Sequence, residues 1–167
     1  MKQPLIIFSH GKDSEPWGAK IKALASVARD AGYQAESVDY RGMDDPRQRV
    51  TALLEFAKPL NARPVLVGSS LGGHVATAAS IELQATGLFL MAPAFYMPGY
   101  EQYTPKPAGC PITIIHGWND DIVPVDNSIR YAREQRATLH VIDSDHRMTA
   151  QIDMIAACFN LFLRNLA

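Results

Sequence analysis

Six short apolar runs punctuate this chain, and most intervals between them are long enough for a helix, which restricts the fold more than any other property of the sequence. The runs are Leu5-Ile6-Ile7-Phe8, Gln34 to Asp39, Pro64 to Gly68, Gly87 to Met91, Ile112 to Ile115 and Thr138 to Ile142. Each has strand length and is flanked by turn-forming residues. Helical periodicity covers Gly18 to Ala31, closed by Gly32, then a stretch from near Pro46, whose fixed φ suits a first turn. It returns over Gly73 to Ala79, Val125 to Arg136 and Thr149 to Leu166. Such alternation predicts a three-layer α/β fold: a mostly parallel six-stranded sheet, helices on both faces, and functional residues on loops at the carboxyl ends of the strands. The 167 residues form one expected domain spanning the chain, large enough to bury a real core.

Charge and composition exclude several functions. Sixteen basic residues face seventeen acidic ones with no basic cluster, so nucleic acid is not an expected partner. No apolar stretch approaches the roughly 20 residues that span a bilayer, and the N-terminus enters a strand without the features of a signal peptide, so a cytoplasmic protein without a membrane partner is expected. Cys110 and Cys158 lie in a proline-rich loop and an apolar helix without metal or redox spacing, and read as free thiols. His10, His74, His116 and His140 read as packing or loop-shaping residues. None has a companion at metal-ligand spacing, so neither metal nor cofactor is expected.

Chemistry enters at Gly68-Ser69-Ser70-Leu71-Gly72-Gly73, directly after the third apolar run and before a helical stretch. In G-x-S-x-G the serine occupies a strained strand-to-helix turn, and flanking glycines let the backbone fold back without a Cβ clash. Gly68 and Gly72 centre that pattern on Ser70 rather than on Ser69. A serine needs a base and an orienting acid, in the order serine, acid, histidine. The loop after the fifth run, His116-Gly117-Trp118-Asn119-Asp120-Asp121-Ile122-Val123-Pro124, carries two carboxylates, and only loop geometry decides between Asp120 and Asp121. After the sixth run comes Asp143-Ser144-Asp145-His146-Arg147-Met148; Asp145, adjacent to His146, reads as a loop-shaping residue.

With these motifs in order on the expected elements, the chain resembles the α/β-hydrolase superfamily over essentially its whole length, specifically the small lidless serine hydrolases of the dienelactone-hydrolase and small-carboxylesterase type. The family's acid loop resembles H-G-x-x-D-x-x-V-P, matched by His116, Gly117, Asp120, Val123 and Pro124, which points to Asp120 as the acid. His146 matches the family's histidine. The resemblance implies an α/β-hydrolase fold without a lid domain, with Ser70 as nucleophile, His146 as base and Asp120 as orienting acid. It also implies oxyanion donors at the backbone N–H of Leu71 and of Lys12, the latter in Ser9-His10-Gly11-Lys12, which resembles the family's H-G-x element. The first apolar run, followed by His10-Gly11, resembles the family's third strand, so the usual first two are expected to be absent, which bears on stability and on whether the chain forms a homo-oligomer.

The segment from Ala92 to Pro111 holds five prolines and four aromatic residues and reads as an ordered irregular loop walling a substrate pocket. Phe95, Tyr96 and Trp118 are the candidate pocket residues. This loop is too short for a lid domain, which favours a small soluble acyl substrate, as ester or thioester. The expected function is a serine hydrolase acting through an acyl-enzyme. The alternative is a catalytically silent binding module on the same scaffold, against which the complete set of Ser70, acid and His146 argues.

Overall fold

In the computed structural model, which describes residues 3–167, the six runs form strands β1 (Leu5–Ser9), β2 (Gln34–Val38), β3 (Val65–Ser69), β4 (Gly87–Met91), β5 (Ile112–Gly117) and β6 (Thr138–Ile142). The helices are α1 (Ala19–Asp30), α2 (Pro46–Ala57), α3 (Leu71–Ala79), α4 (Val125–Gln135) and α5 (Ile152–Leu166). Pro46 opens α2 as anticipated, and the Asp45 side chain accepts the Arg47 N–H at 2.9 Å as its cap.

All six strands pair in parallel in the order β2-β1-β3-β4-β5-β6. The alternation of side chains along each strand builds two separate cores. Leu5 and Ile7 of β1 and Leu88 and Leu90 of β4 point to one face, where Leu53 of α2, Val75 of α3 and Tyr131 of α4 cover them. Ile6, Phe8, Phe89 and Met91 point to the other, against Leu24 of α1 and Ile155 and Phe159 of α5. A strand apolar on both faces can only sit between two layers, which is why β1, β3 and β4 occupy the middle of the sheet.

The chain leaves β1 toward one edge of the sheet and β3 toward the other, although the two strands are neighbours. This is a switch point, where a crevice opens outside the carboxyl ends of the strands. Among the described residues no inserted helical subdomain covers those ends.

The Pro-rich segment departs from expectation. It straps α4 and the end of α3 rather than walling a pocket: Phe95 stacks on Tyr131 with ring centroids 4.0 Å apart, Tyr131 Oη donates to Pro105 O at 2.9 Å, and the Ala108 N–H donates to Ser80 Oγ at 2.8 Å. Phe95 and Tyr96 join one of the two cores beneath the link from β4 to β5, which has no α-helix of its own, while Tyr100 and Tyr103 are exposed.

Candidate active site

Ser70 stands between β3 and α3 with φ 53° and ψ −119°, a conformation that L-residues rarely adopt. Surrounding hydrogen bonds hold it there. The Ser70 N–H donates to Met91 O at 2.9 Å, and its carbonyl accepts the N–H groups of Gly73 and Ala94, each at 3.0 Å. Neither motif glycine has positive φ; both are required by close approach. A Cβ on Gly72 would run into the Ser9 carbonyl at the end of β1, and one on Gly68 into the Gly72 carbonyl. The turn therefore packs directly on the loop that follows β1.

The loop after β5 meets the loop after β6. The Trp118 N–H donates to Ile142 O at 2.9 Å and the Asn119 N–H to Ser144 O at 3.0 Å, prolonging the strand pairing beyond the sheet. Gly117 permits this approach, since a Cβ there would strike the Ser144 carbonyl. Asp120 and His146 are brought together as a result. His146 Nδ1 lies 2.7 Å from Asp120 Oδ2, and His146 Nε2 lies 3.0 Å from Ser70 Oγ. The Asp145 carboxylate is engaged elsewhere, accepting the Met148 N–H at 2.9 Å.

Loop geometry separates the two carboxylates. Asp120 Oδ1 accepts the N–H groups of Ile122 at 2.9 Å and Val123 at 2.8 Å, while Oδ2 faces both His146 Nδ1 and, at 3.0 Å, His116 Nε2. Asp121 is exposed and makes no comparable contacts. Burial works against the Asp120 charge, but the hydrogen bonds from His146, Val123 and Ile122 outweigh it and hold the carboxyl below its ordinary value. The side chain of Asp120 is fully enclosed, whereas His146 remains 18% exposed, so the two side chains sit in different dielectric surroundings. His116 is buried and loses proton affinity to desolvation; its Nδ1 lies 2.7 Å from Ser128 Oγ, which leaves Nε2–H to donate toward Asp120 Oδ2 and Val123 O.

On the opposite side of Ser70, the Ser9-His10-Gly11-Lys12 loop approaches so closely that a Cβ on Gly11 would sit 3.4 Å from Ser70 Cβ. His10 organises this loop. Its Nε2 accepts the Tyr40 N–H at 2.9 Å, so the ring proton is on Nδ1, which donates to Gly11 O at 2.8 Å. A trans peptide holds C=O and N–H antiparallel, so anchoring the Gly11 carbonyl also fixes the direction of the Lys12 N–H. Arg49, 2% exposed, donates from Nη1 to His10 O at 2.9 Å and from Nε to Met43 O at 2.7 Å, with its guanidinium 5.1 Å from the Tyr40 ring centroid. The Leu71 N–H occupies the first position of α3, where a helix N–H has no partner one turn back.

The crevice beside Ser70 has a volume of about 650 Å³. Its walls come from the His10–Ser14 loop, the start of α1, Ser69 and Ser70, Asp121 and Ile122, and the loop from Asp145 to Thr149. The expected pocket residues are not among them. Phe95 is buried in the core, Tyr96 turns its hydroxyl to Glu134 Oε2 at 2.6 Å, and Trp118 projects into solvent with 58% of its surface exposed. The sequence reading missed Lys20, Ile122 and Arg147 as wall residues. Lys20 had a readable signal, because a cation in the first turn of a helix opposes the helix dipole. Among the described residues no group of three or more His, Cys, Asp or Glu is placed to hold a metal ion, and Cys110 and Cys158 are free.

A family model described as the alpha/beta hydrolase family matches residues 6–157. A curated relative, the mitochondrial palmitoyl-protein thioesterase ABHD10 of Homo sapiens, is 27% identical over 214 residues, an alignment covering 92% of this chain and 70% of the relative. A crystal structure from Xanthomonas campestris pv. campestris, assigned to hydrolases of the alpha/beta superfamily, superposes with a TM-score of 0.91 at 32% identity, covering 99% of each chain. Alpha/beta hydrolase domain-containing protein 10 from mouse shares the fold with a TM-score of 0.84 at 22% identity, covering 100% of this chain and 93% of that one.

Proposed function

The chain belongs to the alpha/beta hydrolase family, and on that premise we propose that it is a serine hydrolase that cleaves a small acyl ester or thioester through Ser70, His146 and Asp120. The observation that carries this reading is the unbroken line from Ser70 Oγ through His146 to Asp120, at 3.0 and 2.7 Å, with the serine in a strained turn at the mouth of a crevice. A surface serine has no use for such strain.

In this reading Ser70 Oγ bonds to the acyl carbon while its proton passes to His146 Nε2, and the carbonyl electron pair moves onto oxygen. The N–H groups of Leu71 and Lys12 receive that oxyanion. Collapse expels the alcohol or thiol, which takes the proton from His146, and leaves an acyl-enzyme. Water then repeats the sequence, releasing the acid and regenerating Ser70. Asp120 holds Nδ1–H, so that Nε2 is the free base at the start of each cycle.

The absence of a covering subdomain among the described residues supports a small acyl group, and the name of the curated relative supports a thioester as an alternative to an ester. A fluorophosphonate probe tests the chemistry. The expected result is a stoichiometric adduct on Ser70, abolished in Ser70→Ala and strongly slowed in His146→Ala. A folded protein without an adduct would favour a silent binding module. A p-nitrophenyl ester series then tests acyl size, with preference expected to fall beyond octanoate; a preference that keeps rising toward palmitoyl esters would overturn the small-acyl assignment.

A further inference from the structure

We propose that Lys20 forms an anion-binding subsite in the wall of the Ser70 crevice, so that the ligand carries a carboxylate or phosphate close to its scissile acyl bond. The proposal rests on the hydrolase reading for its substrate class. Lys20 stands in the first turn of α1 and lines the crevice with Ser69 and Ser70. Its Nζ donates to Ser69 Oγ at 3.3 Å, in the residue immediately before the nucleophile.

Three features set this lysine apart from a surface cation. It is only partly exposed, yet among the described residues it joins no ion pair. Its ammonium has three donors, and one protein contact leaves two for a ligand. It also sits where a cation is least welcome in a helix, since the first turn carries the positive end of the dipole and α1 has no acidic residue there to offset it. A side chain that breaks a local rule in this way is expected at functional or strained sites.

The other charges on the wall, Lys12, Asp13, Asp121, Asp145 and Arg147, are exposed and partly screened by solvent; Asp145 acts on Lys20 without pairing with it, and its carboxylate accepts the Met148 N–H. Burial lowers the proton affinity of Lys20, with Asp145 acting against that loss. An anion arriving at Nζ would replace the hydration that the ammonium gave up and keep it charged.

Equilibrium binding to Ser70→Ala protein tests the subsite without any chemistry taking place. Two matched pairs locate the charge: mono-p-nitrophenyl succinate against p-nitrophenyl butyrate places a carboxylate on the acyl side, and 3-(butyrylthio)propanoate against its methyl ester places one on the leaving side. In at least one pair the charged ligand should bind about tenfold tighter, a preference that Lys20→Met or Lys20→Gln reduces to about twofold or less and Lys20→Arg largely keeps. Equal binding within both pairs, or a preference unchanged in Lys20→Met and Lys20→Gln, would overturn the proposal. Fluorophosphonate labelling of the wild type reads the hydrolase proposal separately. Labelling without charge preference would remove the subsite alone; charge preference without labelling would remove the hydrolase reading and leave the subsite standing.

Discussion

His116 Nε2 lies 3.0 Å from Asp120 Oδ2, the same oxygen that faces His146 Nδ1 at 2.7 Å, so a buried histidine on β5 braces the carboxylate proposed to orient His146. Together with two backbone N–H groups on Oδ1, this leaves Asp120 no freedom to rotate.

That bracing makes the two neighbouring carboxylates separable by mutation. Asp120→Asn would present an amide donor to His146 Nδ1, forcing the proton onto Nε2 and removing the free base; turnover of an activated ester should fall by about 10,000-fold. Asp121→Asn, altering an exposed side chain, should cost less than about tenfold. Steady-state kinetics on both variants decides the matter, and comparable losses would remove Asp120 from its role.

The brace itself can be tested at constant volume. His116→Gln retains a donor near the Nε2 position, whereas His116→Leu leaves Asp120 Oδ2, Val123 O and Ser128 Oγ short of a partner. Unsatisfied buried groups cost about 1–3 kcal/mol each. His116→Leu should therefore melt several degrees lower, at about 2–4 °C per kcal/mol for a chain of this size, and lose turnover more than His116→Gln does. A leucine variant matching the glutamine variant in both melting point and turnover would show that the contact is incidental.

Lys12 is proposed to act through its backbone. Lys12→Ala keeps the N–H and should change turnover only mildly, while Lys12→Pro removes it and should cost about 100- to 1000-fold. His10→Ala releases the Gly11 carbonyl and should fall between the two, with the loss in kcat rather than KM because the ground-state ester needs no oxyanion donor. Equal, mild effects of Lys12→Ala and Lys12→Pro would place the second donor elsewhere.

The alternation of β1 to β6 with helices was legible because a strand apolar on both faces, such as Leu5-Ile6-Ile7-Phe8, leaves few other folds open. Gly68 and Gly72 were legible for a related reason: backbone packing closer than a Cβ admits only glycine. The crevice wall was not. Phe95 and Trp118 look alike in sequence, but Phe95, on the strap from β4 to β5, is stacked on Tyr131, and Trp118, on the loop after β5, lies in solvent, a difference set by tertiary packing. Lys20 carries a signal in its place in the first turn of α1, but its neighbour does not: only the fold brings that turn beside Ser69.

Stability should depend on pH through histidines that folding desolvates. Desolvation lowers the proton affinity of His10, His74 and His116 in the folded chain from an ordinary value of 6.5. Below that value the unfolded chain takes up protons that the folded chain refuses, so the stabilisation is complete above it and is lost as pH falls toward the folded values. Each such histidine contributes up to about 1.4 kcal/mol per pH unit within its window, and Asp120, depressed below an ordinary 3.8, extends the loss to lower pH. Melting temperature should hold steady above about pH 7 and fall by several degrees by about pH 5. His116→Gln removes one titrating group, and its curve should be flatter over that interval even though its melting point at neutral pH is lower. A wild-type melting temperature that stays level down to about pH 5 would mean that these rings do not titrate differently in the two states.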